Sequence, residues 1–266
     1  MKHKGKSKLI ITVICIIGVL TLIEIESKLF FNSYPDSSSI AHGKYDFSKF
    51  YQDKNNFRAY EDNKYISYAG IDVSAHQGNI NWEKAKEAGV SFAMLRVGYS
   101  TLDNGNIKED AKIAENLQKA KSAGVKIGAY FFSQAITEDE ARKEARWLMK
   151  KVGRNLDLPV AYDMEEVEDN SRIANLTLED RTKIALAFIE EVNRYGHQCF
   201  LYGNPVWLME KLDLHKIGNK GQIWLAHYNS DTHFPYDFSM WQYSESGIVD
   251  GISVPVDLDI LFVKKH

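Results

Sequence analysis

Cysteine is nearly absent from this chain. The 266 residues hold two, Cys15 and Cys199, and Cys15 lies inside an apolar N-terminal run, so Cys199 has no partner in the body of the chain. Neither a disulfide framework nor a thiolate metal site can be built. Cys199, in HQCFLYG, reads as a small buried hydrophobe on a strand. An excess of positive charge is missing as well: the formal net charge is −3, which leaves no global basic field for nucleic acid. Several catalytic signatures are also lacking. No Gly-x-Ser-x-Gly elbow and no His-Glu-x-x-His helix occurs, so the serine hydrolase and zinc peptidase readings lose their carriers. The GNIN that follows Gln77 is not a dinucleotide fingerprint. No internal repeat or low-complexity tract is present.

What is present begins with Lys2, Lys4, Lys6 and Lys8, followed by an uncharged apolar stretch from Leu9 to Ile23. Basic then apolar is the export order, with the basic tip on the cytoplasmic side. The stretch is short for a span of about 20 residues, and flanking Lys and Glu side chains can snorkel to extend it. Ile23, Glu24, Ile25 and Glu26 offer no small-x-small cleavage site, and Ile14 before Cys15 does not suit lipidation. Residues 1–27 are therefore expected to be an uncleaved membrane signal-anchor with the rest of the chain extracytoplasmic; cleavage would make the protein secreted. Residues 28–65 are polar but carry Phe47, Phe50, Tyr51, Phe57 and Tyr60, as expected of a stalk that partly packs on the domain. Residues 66–266 form the globular body. The first 27 residues carry four Lys and two Glu, so without them the charge falls from −3 to −5.

From Ala69 onward strand-like and helix-like segments alternate. Short runs rich in β-branched and aromatic residues mark AGIDVSAHQ, FAMLRVGY, VKIGAYFFS, LPVAYDME, CFLYGN, QIWLAHYN, SMWQYSE and VDLDILF as strands. Helices are predicted over Trp82–Ala88, Ile107–Ala123, Glu138–Val152 and Leu178–Tyr195, with a short one from Pro205. Thr137 with Glu140, and Thr177 with Asp180, are helix-start signals, and Gly89, Gly124 and Gly196 are stop signals. The pattern is α/β and points to an irregular β/α barrel of about eight strands with fewer helices, because the later connections are too short or too polar for full helices.

In such barrels the chemistry sits at the C-terminal ends of the strands. Acids in or near those ends are Asp72, Asp163, Glu165, Asp257 and Asp259. Asp163 and Glu165 are two apart, so an extended strand would aim both at one face. One of the two pKa values should then rise while the other stays low, the division of labour that a glycosidase needs. A solvated acidic loop and a Mg²⁺ or Ca²⁺ cage are the competing readings of these acids. No His or Cys cluster completes a transition-metal site, and neither a metal nor another cofactor is expected. Tyr99, Tyr130, Phe132, Tyr202, Trp224, Tyr228, Trp241 and Tyr243 fall near strand ends, where aromatic faces pack on sugar rings. Of these Tyr99, Tyr130, Tyr202, Tyr228 and above all Trp241 are the substrate-binding candidates, with Asp259. His76 and His227 also follow strands and read as satisfied polar residues.

The stretch GIDVSAHQGNINWEKAKEAGVSFAMLRVGYS resembles the opening of a glycoside hydrolase family 25 lysozyme, and KIGAYFFS, LPVAYDMEE, FLYGNP, IWLAHYN, MWQYSESGIVDGI and VDLDILF continue the resemblance in order. It covers roughly Ala69 to Phe262. The resemblance implies a modified β/α barrel acting on peptidoglycan glycan strands, cleaving the β-1,4 bond between N-acetylmuramic acid and N-acetylglucosamine. It implies Glu165 as general acid, Asp163 as its partner, and Asp72 and Asp257 as further active-site acids; the catalytic domain is expected to be monomeric. Asp259 stands where many members have Asn. A chitinase-like hydrolase, whose Asp-x-Asp-x-Glu strand is incomplete here at Ala161, and a non-catalytic glycan-binding barrel are the alternatives.

Overall fold

The computed structural model describes residues 44–153, 156–167 and 172–265. The anchor expected in residues 1–27, and the first part of the stalk, lie outside the described residues. Among the described residues no helix is long and apolar enough to cross a membrane.

Eight strands close into a barrel with few helices. In chain order they are β3 (Tyr65–Val73), β4 (Phe92–Ser100), β6 (Lys126–Phe132), β7 (Val160–Asp163), β8 (Cys199–Gly203), β9 (Gln222–Ala226), β10 (Met240–Gly247) and β11 (Val256–Lys264). The sheet order β3-β11-β10-β9-β8-β7-β6-β4 is closed by pairing of β3 with β4, and the short β5 (Ile107–Glu109) hangs on the edge of β4. Neighbours are parallel except β11, which runs antiparallel to both β3 and β10. The reason is local: residues 248–255 join β10 to β11, and a parallel return needs a crossover of a dozen or more residues.

The helices form where caps and apolar spacing agree. They are α1 (Trp82–Glu87), α2 (Ile113–Ser122), α3 (Glu138–Val152), α4 (Leu178–Arg194), α5 (Pro205–Glu210) and α6 (Leu214–Ile217). The Thr137 side chain accepts from Glu140 N at the start of α3, acids fill its first turn and Lys150 and Lys151 its last, complementing the helix dipole. Thr177 and Asp180 make a reciprocal capping box on α4. One prediction fails. Residues Ile107–Glu109, read as the first turn of a helix to Ala123, are a strand instead, and the helix starts at Ile113. Asp110 breaks the run, since its carboxylate accepts from Ala75 N, Lys112 N and Arg96 Nε at 2.9–3.0 Å.

Below its mouth the barrel interior is filled by Phe92, Met94, Ala161, Phe200, Trp224, Met240 and Leu261. Gly70 is required there: a Cβ would come within 2.2 Å of the Phe92 ring. Among the described residues, the outer wall at β10, β11 and β3 is packed by the N-terminal strap from Lys44 to Tyr60, with its hairpin β1 (Phe50–Gln52) and β2 (Arg58–Tyr60). Tyr45 stacks on Phe262 with ring centres 3.9 Å apart and donates to Phe238 O at 2.8 Å. Phe47 and Phe50 meet the Trp241 ring edge-on, and the Arg58 guanidinium lies over it at 4.6 Å.

Candidate active site

Strand register decides which side chains enter the mouth of the barrel. Asp163 pairs with Phe132 on one side and Tyr202 on the other, Tyr202 with Trp224, and Asp257 with Asp72. Paired residues share a face, so these side chains line one cavity, together with Arg96, Tyr130, Gln242 and Glu165, of about 210 Å³. Asp257 reaches it because antiparallel β11 starts, rather than ends, at the mouth. The strand carrying Asp163 stops there, so Glu165 is not on an extended strand as the spacing suggested; it stands on the irregular chain beyond β7 and still borders the cavity.

The cavity thus brings together Asp72, Asp163, Glu165, Asp257, Tyr130 and Tyr202. Tyr228 joins from the rim, half exposed, its hydroxyl donating to Gln242 Oε1 at 2.8 Å. Three expected residues do not take part. Trp241 points outward, is fully buried under the strap, and gives its indole N–H to His227 O at 2.8 Å. Asp259 faces inward one layer too deep, completely buried, and accepts from Trp224 Nε1 at 2.8 Å beneath the floor. Tyr99 follows a bulge in β4 and lies against the Arg96 guanidinium at 5.3 Å, outside the cavity lining. His76 is exposed, and the His227 ring is tied to Thr232 and Asn229.

Sequence reasoning missed Arg96 and Gln242. The signal for Arg96 was an arginine inside the apolar strand FAMLRVGY, and for Gln242 its parity opposite to Trp241. Gln242 Oε1 accepts from the hydroxyls of Tyr202 and Tyr228, both at 2.8 Å, which turns its Nε2 toward Asp72 Oδ2. Among the described residues lining the cavity Arg96 is the one cation, and its Nε donates to Asp110 Oδ2 at 2.9 Å.

Burial dominates the electrostatics. It pushes Asp163 well above the usual carboxylate range, Glu165 adds to that by like charge, and Arg96 opposes it. Burial, then Asp257, raises Glu165. Burial and the charges of Asp257 and Asp259 hold Asp72 high, while Asp257 rises to about 6, chiefly through burial. Desolvation thus acts on both members of the 163/165 pair, and their like charge opposes ionisation of the two together. One Asp163 oxygen, Oδ1, is buried with no hydrogen-bond partner. Such a cluster can hold protons at neutral pH and present a desolvated carboxylate to a developing cation. Among the described residues no three His, Cys, Asp or Glu side chains are grouped to hold a metal ion.

The glycosyl hydrolases family 25 model matches residues 71–252, which span the barrel from Asp72 to the loop before Asp257. The chain belongs to family 25. Lysozyme M1 of Streptomyces globisporus is 30% identical over 197 residues, covering 71% of this chain and 65% of that protein. The family 25 barrel also superposes on the modular autolysin LytC from Streptococcus pneumoniae, solved in complex with a synthetic peptidoglycan ligand: TM-score 0.66, 26% identity, 80% of this chain and 52% of that one. A bacterial lysozyme from Streptomyces coelicolor gives TM-score 0.60 at 25% identity, covering 72% and 90%. The chain thus spans just under two thirds of Lysozyme M1 and about half of LytC.

Proposed function

We propose that the protein is a lysozyme that hydrolyses the β-1,4 bond between N-acetylmuramic acid and N-acetylglucosamine in peptidoglycan. The observation that carries this reading is Glu165 and Asp163 at one buried mouth, with Arg96 beside them and Tyr130, Phe132, Tyr202 and Trp224 around them. The LytC complex with a peptidoglycan ligand supports glycan strands as substrate. Two carboxyls this desolvated hold a single charge between them. Arg96 acts on Asp163 and favours the charge there against its deeper burial, which leaves the proton on Glu165 to be given to the leaving oxygen. Asp163 then stabilises the oxocarbenium-like centre, either by attacking it or by orienting the substrate's acetamido oxygen to attack, and both routes retain anomeric configuration. The aromatic faces hold sugar C–H surfaces.

Glu165→Gln keeps the shape but cannot protonate the leaving group, so turnover on purified peptidoglycan should fall by about 10²–10⁴-fold with binding retained. Identification of the new reducing end as N-acetylmuramic acid on peptidoglycan, with no cleavage of chitin, checks the bond. Ordinary turnover in that variant, or chitin as the better substrate, would sink the assignment. The basic-then-apolar order of residues 1–27 supports a barrel held on the outer face of the membrane by an uncleaved anchor. Recovery of a soluble protein whose N-terminus lies after Ile23 would refute the anchor.

A further inference from the structure

Glu165 stands on irregular chain past the end of β7, so strand pairing does not fix it. Something else must, because misplacement of a catalytic group by about 1 Å can cost on the order of 10²-fold in rate. Two restraints are visible. Gln134, fully buried just after β6, donates its side-chain Nε2 to Glu165 O at 3.1 Å. The next residue, Glu166, places its carboxylate 2.5 Å from the guanidinium of Arg181 on α4. Arg181 is itself 4% exposed. It also donates to Ile173 O at 3.1 Å, to Ala174 O at 3.3 Å and to Leu176 O, all on the chain returning to α4. The Trp207 ring lies 5.3 Å beneath its planar group.

We propose that Arg181 is a positioning residue that fixes Glu165 for proton transfer by binding both limbs of the β7–α4 loop to one guanidinium. The outgoing limb is held through Glu166 and the returning limb through three carbonyls. Only a planar fork with several N–H groups reaches all four acceptors at once; a lysine ammonium satisfies fewer and has no flat face for Trp207. The function of this staple rests on the assignment of Glu165 as the acid. Its consequence extends to protonation, since Glu165 is raised by burial and by Asp257. Among the described residues, Asp163, Tyr202 and Tyr228 also interact with it electrostatically. A loosened loop admits water and moves Glu165 toward the ordinary carboxylate range.

The test uses the full-length protein with Arg181→Lys, Arg181→Met and Glu166→Ala, beside Glu165→Gln as reference. Glu166 is partly exposed and its loss leaves Arg181 three carbonyl acceptors, so Glu166→Ala is expected to fold even if the Arg181 variants do not. The expected result for folded Glu166→Ala and Arg181→Lys is a kcat on peptidoglycan lower by roughly 10–100-fold with little change in KM. The alkaline limb of their pH profiles should move to lower pH, and the double variant should be no worse than the poorer single one. A merely structural arginine would lower thermal stability and leave kcat and the alkaline limb of the folded enzyme unchanged. Wild-type kcat and limb in both variants, with Glu165→Gln inactive, would overturn the staple alone; an active Glu165→Gln would overturn the acid assignment and the staple with it.

Discussion

Asp257→Asn should make the protein more stable at neutral pH while harming its chemistry. Asp257 rises from 3.8 to about 6 in the folded protein because burial, and then Glu245, disfavour its charge. A carboxyl raised on folding binds its proton more tightly in the folded state, so stability is undiminished below about pH 4, declines as pH climbs, and has lost its full increment above about pH 6. At 1.36 kcal/mol per pH unit that increment is about 3 kcal/mol. Partial solvent access of Asp257 reduces it to about 1–2 kcal/mol. Asparagine removes the charge and keeps an oxygen to accept from Asp72. Denaturant unfolding of both proteins at pH 4 and pH 7.5 reads the effect: near-equal stability at pH 4 and a more stable variant by about 1–2 kcal/mol at pH 7.5. The same change withdraws one of the influences raising Glu165, so the alkaline limb of residual turnover should move to lower pH. A stability difference that is the same at both pH values, or a variant less stable at pH 7.5, would refute the reasoning.

Trp241→Ala should cost about 3–5 kcal/mol in unfolding free energy through the cavity left under the strap, while KM of the protein that remains folded stays near wild type; a raised KM with unchanged stability would restore the substrate-contact reading. Glu144, buried on α3 and accepting from Ser100 and Ser133, is pushed up to about 7 by burial, so Glu144→Gln should lessen the loss of stability between about pH 4.5 and 7, read by thermal melts across that range. Chelation by EDTA should leave turnover unchanged; full loss restored by a divalent ion would overturn proton-transfer roles for the carboxylates.

Local sequence chemistry determined much of this protein. The eight strands were legible as short β-branched and aromatic runs, and α3 and α4 as capped, amphipathic segments, because these signals act within a few residues. The acids Asp72, Asp163, Glu165 and Asp257 were legible because carboxylates are rare at the ends of buried strands. Three things were decided only by the tertiary structure. The direction of β11 follows from its short link to β10, and it is this reversal that brings Asp257 to the mouth. Adjacent residues on a strand face opposite ways, so Gln242 entered the cavity while Trp241 turned out under a strap contributed from the N-terminal side, an arrangement no local pattern contains. Depth separated Asp257 from Asp259: two residues apart and on one face, the first borders the cavity and the second is sealed below Trp224, because burial depends on what the neighbouring strands place above it.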